Sequence, residues 1–193
     1  MLSNLLVVSR LFSPIMKHLY RKEEDLLRDC LQQKQDAQFE LFERYKLAMF
    51  NLVYRICNDY DQANDILQEG FIDVFRNLGK FEQKSTLGAW IKSIMLRKAL
   101  KVVSKKMVFE EIVENLEDQT YPLEQWIQAE VLDQAIRSLP VASRTVFVMY
   151  EVEGYSHQEI ADTLHISLGT SKSQLHYAKK ILQERLSKHY QEK

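Results

Sequence analysis

The sequence predicts an all-α protein built from two helical domains, and three observations carry that reading. Glycine and proline are sparse, five and three in 193 residues, while Leu, Gln, Glu, Lys and Ala are plentiful, a balance that favours helices over a turn-rich sandwich or barrel. Apolar residues recur at steps of three and four over long stretches. The charge pattern also turns over abruptly. No acidic residue lies between Gln83 and Phe109, where Lys84, Lys92, Arg97, Lys98, Lys101, Lys105 and Lys106 fall; then Glu110, Glu111, Glu114, Glu117, Asp118, Glu124 and Glu130 precede any further basic residue. Such an inversion marks a domain boundary.

Residues 1–21 show no sustained period, contain Pro14 and read as a loose leader, with Met16 a candidate alternative start. The first domain is expected over residues 22–106 as a four-helix, bundle-like unit. Leu26, Leu27 and Cys30 begin it. After a break near Gln35 and Asp36, Phe39, Phe42, Tyr45, Met49, Leu52, Val53 and Ile56 recur at helical intervals as far as Cys57, with Asn58 and Asp59 as the stop. From Asp61, the residues Ala63, Ile66, Leu67, Gly70, Phe71, Val74, Phe75 and Leu78 form one apolar stripe, and Gly79 is placed to cap its end. A polar loop, KFEQKST (80–86), leads into a helix from about Leu87 that carries Trp90, Ile91, Ile94, Met95 and Leu100.

Residues 107–127 read as an acidic, flexible linker, with DQTYP at its least periodic point. The second domain, residues 128–190, begins within a helical stretch from Leu123 to Leu139. Pro140 breaks it, and an amphipathic segment from Arg144 to Val152 ends at Gly154. Ser156 and Glu159 form the S-x-x-E capping box of a short helix. The turn His165-Ile166-Ser167 follows, with Ser167 a second N-cap, and Leu168, Ser171, Leu175, Ala178 and Leu182 give the next helix a buried seam. Two helices joined by a three-residue turn make a helix-turn-helix.

Three constellations point to function. In a helix-turn-helix the second helix enters the major groove by its N-terminal end, so its early outward residues are short or polar. Thr170, Lys172, Ser173 and Gln174 suit base edges and phosphates, with Gly169 allowing close approach; the plain alternative is a solvated surface helix. Lys98, Lys101 and Lys105 share a face suited to phosphates, with Phe81 and Trp90 nearby as aromatic surface for single-stranded nucleic acid. Taken alone, Trp90 reads better as core. Asp61, Asp65, Glu69 and Asp73 stand four apart on the helix whose other face is apolar. Like charges at that spacing destabilise a helix by about 0.2–0.5 kcal/mol per pair, so the row suits a basic or amphipathic helix of a partner protein, against the reading of a stripe kept for solubility.

Other classes find little in the chain. Cys30 and Cys57 lack metal-ligand or disulfide-framework spacing, which fits a reduced, cytoplasmic interior, and no cofactor is expected. The apolar LLVV (5–8) is cut by Ser9 and Arg10, and no run reaches the length of a membrane span. There is no G-x-S-x-G, P-loop or G-x-G-x-x-G, and the five histidines are scattered, so an enzyme is not expected. Lys and Arg (26) nearly balance Asp and Glu (27), so the total charge argues neither for nor against a polyanionic partner; with the basic residues split into two separate patches, free DNA should bind poorly.

From about Glu23 to Leu186 the chain resembles the extracytoplasmic-function class of bacterial RNA polymerase sigma factors. DQANDILQEGFIDVFRNL (61–78) is similar to that family's polymerase-binding helix and GAWIKSIMLRKAL (88–100) to its promoter-melting helix. LP at 139–140, Arg144, EGYSHQEIADTL (153–164) and GTSKSQL (169–175) match its C-terminal helix-turn-helix in order and spacing. The resemblance implies a transcription initiation factor with core RNA polymerase and promoter DNA as partners, and control by an anti-sigma factor. It assigns Asp61, Asp65, Gln68, Glu69 and Asp73 to polymerase. Lys84, Ser85, Thr86, Trp90, Arg97, Lys98 and Lys101 are assigned to the -10 region, the loop residues receiving an extruded base. Arg144, Ser156, Thr170, Lys172, Ser173, Gln174, His176, Lys179 and Lys180 are assigned to the -35 region. Arg97 stands where many members carry Asn, and Gln174 and Tyr177 replace frequent arginines. A stand-alone helix-turn-helix regulator is the alternative, and an all-α scaffold that binds only proteins is a second.

Overall fold

The computed structural model describes residues 22–107 and 129–191, and among them every regular element is helical. Four helices form the N-terminal domain: α1 (Glu23–Leu31), α2 (Gln35–Cys57), α3 (Tyr60–Asn77) and α4 (Leu87–Val103). Leu26, Leu27 and Cys30 bury the inner face of α1. The break after it falls at Gln32 to Lys34, where Gln33 takes a left-handed φ of 58°; Gln35 and Asp36, expected to lie in the break, open α2 instead. Asn58 (φ 53°) ends α2 in the left-handed region, its N–H donating to the Tyr54 carbonyl. Asp59 then caps α3, its carboxylate accepting from the Gln62 N–H at 3.0 Å.

The stripe on α3 is buried as its period requires: Ala63, Ile66, Leu67, Gly70, Phe71 and Val74 all face inward. Burying each large side chain contributes about 1.5–3 kcal/mol, which outweighs the acidic row's repulsion of a few tenths per pair, so the helix forms despite its charge. Gly70 makes room for a side chain of α4. A Cβ there would run into the thioether end of Met95, so a larger residue would have to push that side chain aside. Gly79 does not cap α3 in a left-handed conformation, as the sequence suggested. The chain tightens there into a 3-10 turn, Leu78–Lys80, closed by the Phe81 N–H donating to the Leu78 carbonyl at 3.1 Å.

The C-terminal domain contains α5 (Ala129–Arg137), α6 (Val141–Phe147), α7 (His157–Leu164) and α8 (Leu168–Gln191). The expected linker and the first part of the helix expected from Leu123 lie outside the described residues, as does the leader. Pro140 precedes α6, which runs on into a π-helical turn, Val148–Val152. Gly154, at φ 76°, reverses the chain where a side chain would be strained. The capping box is complete: the Ser156 hydroxyl accepts from the Glu159 N–H and the Glu159 carboxylate accepts from the Ser156 N–H at 2.8 Å. His165 (φ 56°) makes the turn, and Ser167 caps α8 by accepting from the Thr170 N–H at 2.9 Å. Leu175, Ala178, Leu182 and Leu186 carry the buried seam of α8.

Candidate nucleic-acid interface

On α3, Asp61, Asp65, Gln68 and Glu69 are exposed and Asp73 is half-buried. The lower end of the acidic row is already partnered. The Lys98 ammonium, from α4, lies 2.7 Å from the Asp73 carboxylate and 3.5 Å from that of Glu69. Its hydrogen bond to Asp73 holds its pKa above the ordinary lysine value, so it stays charged. This departs from the expectation that Lys98 meets a phosphate: its charge is turned to the neighbouring helix, where it offsets the Glu69 and Asp73 carboxylates.

The loop before α4 places Lys84 beside the Glu82 carboxylate, and Ser85 donates to the Thr86 carbonyl at 3.3 Å. Thr86 is the N-cap of α4, its hydroxyl accepting from the Ala89 N–H at 3.2 Å. Its side chain is therefore structural, while the exposed loop around it remains open to a ligand. Trp90 is neither core nor free: half-buried, it packs on Phe81 with ring centroids 5.4 Å apart. Trp90 and Ile94 form the apolar wall of a groove of about 420 Å³, rimmed by Lys80, Asn77, Arg97 and the Lys98–Asp73 pair. Arg97 is exposed and donates to the Ser93 carbonyl at 3.0 Å, and Lys101 is exposed on the next turn.

The leading turns of α8 sort into outward and inward residues. Lys172 is exposed, Ser173, His176 and Tyr177 are half-exposed, and Lys180 is exposed. Lys179 is exposed and paired with Glu151 at 2.8 Å. The Thr170 hydroxyl lies 2.8 Å from that of Ser167, within the cap. Gln174 does not reach outward. It is 3% exposed, and its side-chain carbonyl accepts from the Ser143 hydroxyl at 2.6 Å. Arg144, 4% exposed, likewise does not face a phosphate. Its guanidinium donates to the carbonyls of Arg137 (2.9 Å), Leu139 (2.8 Å) and Ile56 (3.0 Å). Ser156 is consumed by its capping box. These three corrections have one cause: in a domain this small, polar side chains close to the core satisfy buried backbone and side-chain groups before they can serve a ligand.

Sequence reasoning missed His157. Its ring stacks on Tyr150 with centroids 4.4 Å apart, and Nδ1 lies 2.9 Å from the Ser171 hydroxyl, tying α7 to α8. Burial, followed by the nearby Lys172 and Lys179 charges, lowers its pKa. Only the inward position of Ser171 in the α8 seam hinted at such a contact. Among the described residues no cluster of side chains is arranged to hold a metal, and no helix is long and apolar enough to cross a membrane.

This geometry agrees with the comparisons. Residues 41–107 match the family model described as Sigma-70 region 2, and residues 129–182 match Sigma-70, region 4; together the two span more than half of the chain. The chain belongs to the sigma-70 family. Its relatives put this sigma factor in the extracytoplasmic-function class. It is similar to the ECF RNA polymerase sigma factor SigE of Mycolicibacterium smegmatis, 29% identical over 79% of this chain and 63% of that protein. It also resembles the RNA polymerase sigma-H factor of Pseudomonas aeruginosa, 25% identical over 87% of this chain and 96% of the relative. The ECF RNA polymerase sigma factor SigW of Bacillus subtilis is 27% identical over 79% of the chain and 90% of the relative. The chain thus spans less than two thirds of the first of these and nearly all of the other two. Among solved structures, CnrH in complex with the cytosolic domain of CnrY aligns over 84% of this chain and 95% of its own, at 20% identity and a TM-score of 0.49.

Proposed function

We propose that this sigma factor docks on core RNA polymerase through the acidic face of α3 and then engages promoter DNA with both domains. Residues 22–106 would bind polymerase and the -10 region, residues 107–127 would tether, and residues 128–190 would bind the -35 region. The observation that carries the reading is the segregation of charge on one small scaffold. Exposed carboxylates of Asp61, Asp65 and Glu69 line one helix, whereas the helix-turn-helix leads with outward Lys172, Ser173 and His176. Carboxylates repel a polyanion and attract a basic protein surface, so the two faces require different partners.

The chain's contribution is positional. Capture of an extruded base near the 80–86 loop and the Trp90 groove, with Arg97 and Lys101 on the adjacent backbone, would offset an unstacking cost of a few kcal/mol. Lys172, Ser173, His176 and Lys180 would meet the -35 duplex. No catalytic role is assigned to the chain, and its place is the cytoplasm, with the polymerase. An anti-sigma partner covering these faces is part of the same reading and rests on the family resemblance. Run-off transcription with core polymerase and a genomic promoter library tests the proposal: start sites should appear only with this chain present. A tight, salt-resistant shift of naked duplex without polymerase would instead favour the stand-alone regulator.

A further inference from the structure

The helix-turn-helix carries a titratable ring that the initiation reading does not use. His157 is the first residue of α7, the helix that in this motif crosses the DNA backbone while its successor enters the groove. The ring is held from two sides. Its face stacks on Tyr150 of the π-helical turn, centroids 4.4 Å apart, and Nδ1 lies 2.9 Å from the hydroxyl of Ser171, a fully buried residue of α8. The other nitrogen, Nε2, meets no hydrogen-bond partner among the described residues, and the side chain is half-buried. The charges around it are unbalanced. From α8 the exposed Lys172 and Lys179 act against a charged ring; Glu151 of the π-helical turn acts for one, but it is already paired with Lys179 at 2.8 Å. On its own helix, Glu159 is turned back into the capping box, and the positive end of the α7 dipole disfavours an imidazolium at the first position. Burial, and after it the two lysines, hold the His157 pKa below the ordinary value, so the free chain carries a neutral ring at neutral pH.

We propose that His157 makes -35 engagement a proton-linked step: the duplex draws a proton onto the ring, which then adds a cation beside Lys172, so promoter binding tightens as pH falls. The proposal rests on the reading that α8 enters the -35 duplex. Phosphates that approach Lys172 and Lys179 offset the two charges that keep the ring neutral, and they attract an imidazolium directly. The proton comes from solvent. With both nitrogens protonated, Nδ1–H donates to the Ser171 oxygen, and the hydroxyl proton can turn to a backbone carbonyl of the preceding turn, so the tie between α7 and α8 survives. Nε2–H is left to meet a phosphate, as a charge-assisted bond. The sign follows from linkage. The complex holds more protons than the free chain between the two pKa values, so affinity rises as pH falls through the bound value and levels off below the free one. A lysine in this place would be charged throughout that range and a phenylalanine never; only a histidine gives the dependence near neutrality.

Ring-proton NMR of the full chain tests it directly. The His157 titration is followed alone and with a mixed-sequence duplex of about 24 base pairs at low salt, a probe that suffices because phosphate contacts do not depend on sequence. The His157 midpoint should move to higher pH when duplex is added. Affinity should rise by about threefold to tenfold between about pH 7.5 and about pH 5.5, tenfold being the ceiling for a midpoint displaced by about one unit. The slope of log affinity against log salt should steepen by about one unit at the lower pH, because one more cation takes part. His157→Asn, which keeps a hydrogen-bonding group near the place of Nδ1 but cannot titrate, should lose this share of the pH and salt dependence; what remains belongs to His176, half-exposed on α8. A His157 midpoint that duplex leaves in place, or a variant whose pH and salt profiles match wild type, overturns the linkage while leaving the -35 reading intact. If duplex shifts no resonance of α8 and Lys172→Ala binds it as wild type does, the -35 reading itself fails, and the proposal with it.

Discussion

Arg144 separates two physical roles sharply. If it served a phosphate, removing it would weaken DNA binding and leave folding alone. Buried and bonded to the carbonyls of Ile56, Arg137 and Leu139, it should do the reverse. Arg144→Met keeps much of the side-chain volume but leaves three carbonyls without their charged donor. Leaving a buried acceptor without its donor costs about 1–3 kcal/mol, so three orphaned carbonyls cost about 3 kcal/mol or more. Burial lowers the pKa of this arginine, so its own desolvation offsets part of the gain, and the lower end of that range is expected. With a urea m-value of about 2 kcal/mol/M, the unfolding midpoint should fall by about 1.5 M, read by circular dichroism of the full chain. Arg144→Lys should recover a minor part, because a single ammonium cannot serve three carbonyls in different directions. A variant whose midpoint matches wild type while its binding to a -35 duplex collapses would refute the structural role and return Arg144 to the DNA.

Asp65→Lys should abolish co-elution with core polymerase while leaving the melting temperature unchanged or slightly raised, since it removes like-charge repulsion worth about 0.2–0.5 kcal/mol per pair; retained recruitment would remove the acidic face from the interface. Lys172→Ala should weaken the holoenzyme's binding to promoter DNA and flatten its salt dependence by about one unit of slope. Gln174→Leu, by contrast, should cost about 1–3 kcal/mol of stability by orphaning Ser143, with base preference at -35 unchanged. For His157 the folded pKa lies below the ordinary value. Its contribution to stability is therefore fully present above about pH 6.5 and is lost as pH falls toward the depressed folded value. The melting temperature should drop across that window in wild type, and a His157→Asn variant should flatten the change.

Helix order, the apolar stripe of α3, the capping box at Ser156 and the turn at His165 were legible because each depends on neighbours three or four residues away. What the sequence hid were contacts made over long separations. The partner of Lys98 is on another helix, and nothing in the spacing of Lys98, Lys101 and Lys105 distinguishes the one that turns back to Asp73 from those that do not. Gln174 sits where a helical wheel borders the seam; its inward turn is decided by the Ser143 hydroxyl 31 positions earlier. Gly79 misled for a different reason. Glycine permits a left-handed cap without requiring one, and here the chain closes its last turn through 3-10 bonds instead.

The Lys98 bridge also bears on how the proposed polymerase face communicates with the DNA-facing helix. The acidic row is not uniform: Asp61 lies in the first turn of α3, where the helix dipole favours a carboxylate by about 0.3–1 kcal/mol, while Asp73 and Glu69 near the other end are held by Lys98. Uncompensated negative charge is thus concentrated around Asp65, between a dipole that supports one neighbour and a lysine that supports the others. A basic partner surface centred there would gain most from Asp65 and least from Asp73. The same bridge ties α3 to α4 beside the packing of Met95 over Gly70. A partner that displaces Lys98 from Asp73 would free its ammonium at the rim of the Trp90 groove, whereas one that binds only Asp61 and Asp65 would leave α4 where it stands. Polymerase binding measured for Asp73→Asn beside Asp65→Asn separates the two cases: a loss confined to Asp65→Asn means docking leaves the bridge intact, and equal losses mean that the partner takes over the carboxylates Lys98 now holds.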